Sequence, residues 1–558
     1  MSSHLWELFS AAASPGSRLH LPSAAGGPPG VPLPRLYEDA EHTARAVGRR
    51  IARDDRPARL GILMANGEPW LRGFLAAMRL GATAVPLPLP VAFSGPDAYA
   101  RHIARLARQA GLDAVLVDAS LGRHLCARVT DTVAPCPVVD VTDPVPGAGA
   151  LPSRLDPDAL AVVQYTSGST SAPKGVALTH RNVAHGLETL GDSLGWRADD
   201  AWGVWVPLFH DMGLITALAG LARGSSVCLW RPADAVRRPM DWLASFAASP
   251  ATAVSVPNFY YDLLCSSAAE SGVPEGLDLS RWRIAANAAE PVQHRTMTGF
   301  LRTFGPHGLR PSALRPSYGM AEATLLVSTP QPSGPWRTVG VDRDGLAVGE
   351  PVVLRTDGTG RQVVGCGQAA RSMGVRIVSP RGEVCPELVL GEVEISGPPV
   401  TGGYLDTPAD QQPFRPDGWL RTGDLGFLHD GELFVTGRLK GVVTVRGRNF
   451  HAEDVEEIVR GTAGADRRRA AALAWDSGDR EEMVVLLESS LPPLAAEELA
   501  RAARNRVTTH LGLHAVRVVP VPQSTIPHTS SGKVRRLAAR DFYADLVRQV
   551  PRVAEGVG

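Results

Sequence analysis

Residues 165–180 read YTSGSTSAPKGVALTH, the stretch of this chain best suited to holding phosphate. An apolar run, 159–165, leads into a loop of small and hydroxylated residues closed by Pro173, Lys174 and Gly175. Phosphate oxygens need backbone N–H groups at close range. Glycine and small side chains permit that approach, while Ser, Thr and Lys add donors and positive charge. The order here is Lys-Gly, whereas the P-loop needs Gly-Lys-Ser/Thr, so the ordinary NTPase loop is excluded. Ser/Gly/Thr runs are also common surface loops, and the segment alone does not choose between the two.

The elements that must position this loop alternate. Residues 60–64 form a short apolar run, 68–80 carry helical spacing that stops at Gly81, and 82–85 return to strand before a Pro-rich turn. Residues 98–110 put Ile103 and Leu106 on one helical face, Gly111 ends that helix, and 114–117 resume as strand. This rhythm predicts a mostly parallel sheet covered by helices. Residues 141–157, rich in Pro and Asp, form a connector, and the alternation continues to about residue 330. Residues 341–367 are richer in Gly and charge and suggest an insertion or strand-rich subdomain. Short strands recur from 391 to 445 (GEVEISG, GELFVTG, GVVTVRG).

The pattern changes beyond residue 440. Glu453, Asp454, Glu456 and Glu457 crowd a helix start, which suits the helix dipole. Strands at 470–474, 483–488 and 516–521 and a helix at 495–511 then outline a small α+β unit, with a boundary near 437–441.

Composition narrows the classes. The chain has 558 residues, enough for two to four units at roughly 100–200 residues each. Lys+Arg and Asp+Glu are 57 each, so no global basic field recruits nucleic acid. No basic stretch followed by a long apolar core opens the chain, and no run of about 18 apolar residues occurs, so neither a signal peptide nor a membrane span is expected. Six scattered cysteines without a CxxC pair fit free thiols in a reducing cytoplasm.

The loop TSGSTSAPKG resembles the first ATP loop of the adenylate-forming superfamily of acyl-CoA synthetases, luciferases and nonribosomal-peptide adenylation domains. Further matches follow in that family's order: PLFHDMGL (207–214), NAAEPV (287–292), PSYGMAEAT (316–324), WLRTGDLGFL (419–428), GRLKGVVTVRGRNFHAEDVE (437–456) and TSSGKVRR (529–536). Within it, the wording WVPLFHDMGLI, VPNFYYDLL and SYGMAEATLLVS is most similar to fatty acyl-AMP ligases. Residues 341–367 lie where those ligases carry an insertion associated with refusing coenzyme A.

The resemblance implies an α/β fold: a large multi-subdomain N-terminal region of adenylate-forming type (1–437) and a small mobile α+β C-terminal domain (438–558). It implies that ATP and Mg²⁺ are used to make an acyl-AMP, and that the acceptor is the phosphopantetheine thiol of a separate acyl carrier protein. Thr166, Ser167, Gly168, Ser169, Thr170 and Lys174 should cradle the β- and γ-phosphates, and Thr166 and Glu322 should hold Mg²⁺. Asn287, Ala288, Ala289 and Glu290 should line one side of the adenine, with Tyr318, Gly319 and Met320 on the other. Asp424 and Arg438 should meet the ribose, and Lys533 the carboxylate and α-phosphate. His210 should sit at the acyl-carboxylate end in a positioning role, because a carboxylate nucleophile needs no deprotonation at pH 7. Met212 and residues 259–264 suit an acyl tunnel and a plain core equally. Lys440 marks the family hinge.

Two positions depart from the pattern: Gly441 replaces the usual acid beside the hinge, and Ala288 the usual Gly of the adenine wall. An acyl-CoA synthetase, a non-catalytic acyl- or nucleotide-binding relative, and an adenylating enzyme for aryl or amino acids remain alternatives at this point.

Overall fold

The computed structural model describes residues 4–22, 30–51, 56–90, 96–142, 149–166, 173–332, 334–342, 346–357, 360–445, 448–462, 469–476, 481–527 and 534–549. Two sheets dominate its first half. In the six-stranded sheet Val138–Asp140, Ala114–Val117, Arg59–Ile62, Thr83–Pro86 and Leu160–Thr166 run parallel in that order. Lys174–Thr179 closes its edge antiparallel to Leu160–Thr166. The seven-stranded sheet has Leu314–Pro316, Ile284–Ala288, Ala253–Pro257, Trp202–Val204, Val227–Leu229 and Arg18–His20 in parallel, with Val31–Pro32 antiparallel at its edge.

Strand geometry explains why these short runs are apolar throughout. Side chains alternate between faces, and both faces of each sheet are covered. Ala114 and Leu116 enter an apolar cluster shared by both sheets and the helices Leu33–Val47, Glu68–Arg79, His180–Leu194 and Asp211–Ala222. Val115 and Val117 point the other way, onto Tyr99, Ile103 and Leu106 of the helix Pro96–Ala110. The outer face of the second sheet packs on Trp242, Phe246, Tyr260, Tyr261, Phe300 and Phe304.

Beyond residue 318 the sheets are smaller. Gly374–Val378, Gly391–Ser396, Leu420–His429 and Glu432–Arg438 form an antiparallel four-stranded sheet. The Gly- and charge-rich segment is strand-rich, as expected: Thr338–Val341 pairs with Leu354–Arg355 and Arg361–Val364. Its Val341, Leu346, Val352 and Val363 pack on Leu425, Phe427 and Phe434 of the Leu420–His429/Glu432–Arg438 hairpin.

The C-terminal elements are a sheet of Ala470–Asp476, Glu481–Glu488 and Val516–Val521 with the helices Ala452–Arg460, Pro493–Leu511 and Arg536–Gln549. Its two apolar clusters draw only on residues from Val443 onward. Ion pairs Arg361–Asp454 at 2.8 Å and Arg295–Glu457 at 3.2 Å join this unit to the rest. All six cysteines are free thiols. Among the described residues no helix is long and apolar enough to cross a membrane.

Candidate active site

The Leu420–His429/Glu432–Arg438 hairpin sets Asp424 directly opposite Arg438. Arg438 Nε donates to Asp424 Oδ1 at 2.9 Å, and Tyr318 Oη donates to Oδ2 at 2.7 Å. Asp424 is buried. Burial and the Asp424 charge both push the Tyr318 hydroxyl well above its ordinary value, so it stays a donor. The carboxylate raises the Arg438 guanidinium further. Tyr318 is followed by Gly319, where a Cβ would lie 1.8 Å from the Leu325 carbonyl oxygen, so only glycine permits this turn.

That turn presents Glu322. Its carboxyl is buried at 7% exposure, and desolvation raises its pKa from the ordinary carboxylate range. Tyr404 Oη donates to Glu322 Oε1 at 2.8 Å and opposes that rise. Among the described residues no ion pair reaches Glu322. A buried, unneutralised carboxylate of this kind fits a hard cation with oxygen ligands.

Thr166 and Lys174 face each other at the open end of the Leu160–Thr166/Lys174–Thr179 hairpin. The Lys174 ammonium lies 4.5 Å from the centre of the Tyr404 ring. Ser167, Gly168, Ser169 and Thr170, expected on the phosphates, lie outside the described residues, as does Lys533. The flanks of Lys533 are described. Arg535 N donates to Pro527 O at 2.8 Å, Ser524 N and Ile526 N both donate to the buried Glu488, and Arg536 pairs with Glu456 at 2.8 Å and Glu453 at 3.1 Å. Burial dominates at Glu456 and raises its carboxyl.

His210 precedes the helix Asp211–Ala222. Its Nε2 is buried without a hydrogen-bond partner, and Nδ1 lies 3.9 Å from Asp211. Gly213 lets this helix approach the preceding loop, since a Cβ there would stand 2.3 Å from the Pro207 carbonyl oxygen. Asn66 braces the loop from the first sheet: Nδ2 donates to Val206 O at 3.1 Å, and Oδ1 accepts from Leu208 N at 2.9 Å. Gln164 Nε2 donates to Phe209 O at 2.6 Å.

The 287–290 wall is built differently. Asn287 is fully buried, and its Nδ2 donates to Asn258 Oδ1 at 3.0 Å. Its side chain therefore turns into the core. Ala289 sits at φ +69, in the left-handed region. Glu290 is occupied as acceptor of the Phe259 amide. Met212, Tyr260, Tyr261 and Leu264 are buried core residues, and both tyrosine hydroxyls bond backbone carbonyls.

Tyr404 and Asn66 were not anticipated from the sequence. Tyr404 stands in TGGYLDTP, whose paired glycines signal a turn but no chemistry.

The pattern of the AMP-binding enzymes matches residues 35–405. The chain belongs to that family. It is 33% identical over 535 residues to the medium-chain-fatty-acid–[acyl-carrier-protein] ligase of Moorena producens, covering 90% of this chain and 89% of that protein. It is 33% identical over 519 residues to a long-chain-fatty-acid–AMP ligase of Mycobacterium marinum, covering 87% of each. A solved structure from a study of fatty acyl-adenylate ligases of E. coli and L. pneumophila superposes with a TM-score of 0.89 at 28% identity, covering 98% of this chain and 99% of that one. The chain is an ATP-dependent acid ligase of the adenylate-forming superfamily, in the branch of the fatty acyl-AMP ligases.

Proposed function

We propose that this enzyme activates a fatty acid with ATP as acyl-AMP and then passes the acyl group to the phosphopantetheine thiol of a separate acyl carrier protein. A carboxylate oxygen attacks the α-phosphorus, the bond to the bridging oxygen of the β-phosphate breaks, and pyrophosphate leaves. The thiol then attacks the acyl carbonyl and AMP departs. The observation that carries this reading is the convergence of Tyr318, Asp424 and Arg438 beside Glu322, Tyr404 and Lys174, brought together from four separate segments.

The residues divide the work. Two lone-pair sites of Asp424 remain beyond its bonds to Tyr318 and Arg438, and these accept the ribose hydroxyls. Lys174 and the loop before it meet the β- and γ-phosphates, and the main chain of 287–290 flanks the base. Glu322 and Thr166 hold Mg²⁺, which when bound neutralises phosphate charge. The unpartnered Nε2 of His210 orients the acyl carboxylate. Lys533 enters from the C-terminal unit, 438–558, to meet the carboxylate and α-phosphate in the adenylation pose. That unit swings about Lys440 to admit the thiol. Residues 341–367 restrain the swing through Arg361, which supports selection of a carrier-bound thiol over coenzyme A. Six free thiols fit a reducing cytoplasm.

Acid-dependent exchange of labelled pyrophosphate into ATP tests the first half-reaction. Exchange is expected with fatty acids and lost in Lys533→Ala. Nucleotide binding without exchange for any acid would contradict the proposal and favour a non-catalytic relative.

A further inference from the structure

Tyr404 touches both charged groups assigned above to the phosphates and metal, and this inference rests on that assignment. Its hydroxyl donates to Glu322 Oε1 at 2.8 Å, and its ring centre lies 4.5 Å from Lys174 Nζ. Its backbone is clamped on both sides. Thr401 N donates to Glu322 O at 2.8 Å, Ala177 N to Gly403 O at 3.1 Å and Leu405 N to Gly175 O at 2.7 Å. Residues 401–405 thus lie along the Lys174–Thr179 strand while holding the Glu322 turn.

We propose that Tyr404 is a positioning residue that keeps an anion and a cation of the site oriented but unpaired. Glu322 and Lys174 carry opposite charges on the same side chain's two surfaces, yet among the described residues neither forms an ion pair. A tyrosine hydroxyl orients a carboxylate without neutralising it, as Arg438 neutralises Asp424 nearby. The ring face holds an ammonium without discharging it. Both charges therefore remain available, Glu322 to Mg²⁺ and Lys174 to phosphate.

The test is calorimetric binding of α,β-methylene-ATP with and without MgCl₂ to the parent, Tyr404→Phe, Tyr404→Leu and Glu322→Gln. Tyr404→Phe should raise the Mg²⁺ needed for half-saturation roughly tenfold and leave Mg²⁺-free affinity within about twofold, since partners of metal-ligating groups are worth about 10–100-fold. Tyr404→Leu should also weaken Mg²⁺-free binding, as Lys174 collapses onto Glu322. A merely structural role would move both titrations together. An unchanged Mg²⁺ requirement in Tyr404→Phe overturns the inference, while a raised requirement in Glu322→Gln keeps the metal assignment. An unchanged requirement in Glu322→Gln removes the metal assignment and the inference together. Should Tyr404→Leu fail to fold, Tyr404→Phe, which keeps the ring, decides alone.

Discussion

The two walls of the proposed nucleotide site are held in opposite ways. On one, Tyr318 and Arg438 bond Asp424, and Tyr404 bonds Glu322, across strand boundaries. On the other, Asn287 and Glu290 spend their side chains on Asn258 and the Phe259 amide. On the function proposed above, side-chain identity serves chemistry on the first wall and architecture on the second. A motif match looks the same in both cases, because a string of letters does not say which way a side chain turns.

Substitutions on the two walls should therefore separate binding from stability. Asp424→Ala removes the acceptor proposed for the ribose and strands Arg438, and should lower kcat/KM for ATP by about 100-fold, about 2.7 kcal/mol. Steady-state kinetics with saturating fatty acid reads it, and a loss under about threefold would show that Asp424 does not hold the ribose. Asn287→Ala should do the reverse. It leaves a cavity and takes one of two donors from the buried Asn258 oxygen, which keeps the Gln293 amide, costing about 1–3 kcal/mol of stability in denaturant titration. Its KM for ATP should change by less than about threefold.

Much of the first wall was legible because its residues sit in short contiguous motifs, such as Tyr318 with Gly319 and Glu322, or Gly423 with Asp424. Tyr404 and Asn66 were not, because their bonds span 82 and 142 positions and depend on which strands become neighbours. The hairpin of Leu160–Thr166 and Lys174–Thr179 was not legible for the same reason. A strand entering the loop was evident, but its antiparallel partner is a register fact. The C-terminal elements were readable from periodicity, whereas their ion pairs to Arg361 and Arg295 were not. Gly441, a departure from the family pattern, also finds a reason. A Cβ there would lie 3.1 Å from the Glu453 carboxylate, which already holds Arg536, so an acid at this position would meet a like charge.

A third buried polar arrangement extends the contrast outside the cleft. His4 and His180 stack with ring centroids 3.7 Å apart, and burial holds them neutral, with pKa values of about 4 and about 3. Unfolded histidines take up protons below about 6.5, whereas these do not until the pH is far lower, so stability should fall as pH drops from about 6.5 towards 4. Denaturant titrations at pH 7 and pH 5 should differ by about 1–2 kcal/mol per histidine. A flat profile would mean that the pair is protonated in the folded protein.

The smallest effect is expected at the junction between the units. Arg361→Ala removes a partly buried ion pair to Asp454 worth about 1 kcal/mol or less. Background acyl-CoA formation should rise by up to about fivefold, with the adenylation rate unchanged. A fall in adenylation would show instead that Arg361 supports the catalytic pose.

The choice of acyl acceptor is read by mass spectrometry of the products made from ATP, Mg²⁺ and a series of short- to long-chain fatty acids, with coenzyme A or with phosphopantetheinylated carrier protein. The expected result is acyl-AMP that accumulates in the presence of coenzyme A and is consumed when the carrier is added. Efficient conversion to acyl-CoA would contradict it and make this enzyme an acyl-CoA synthetase.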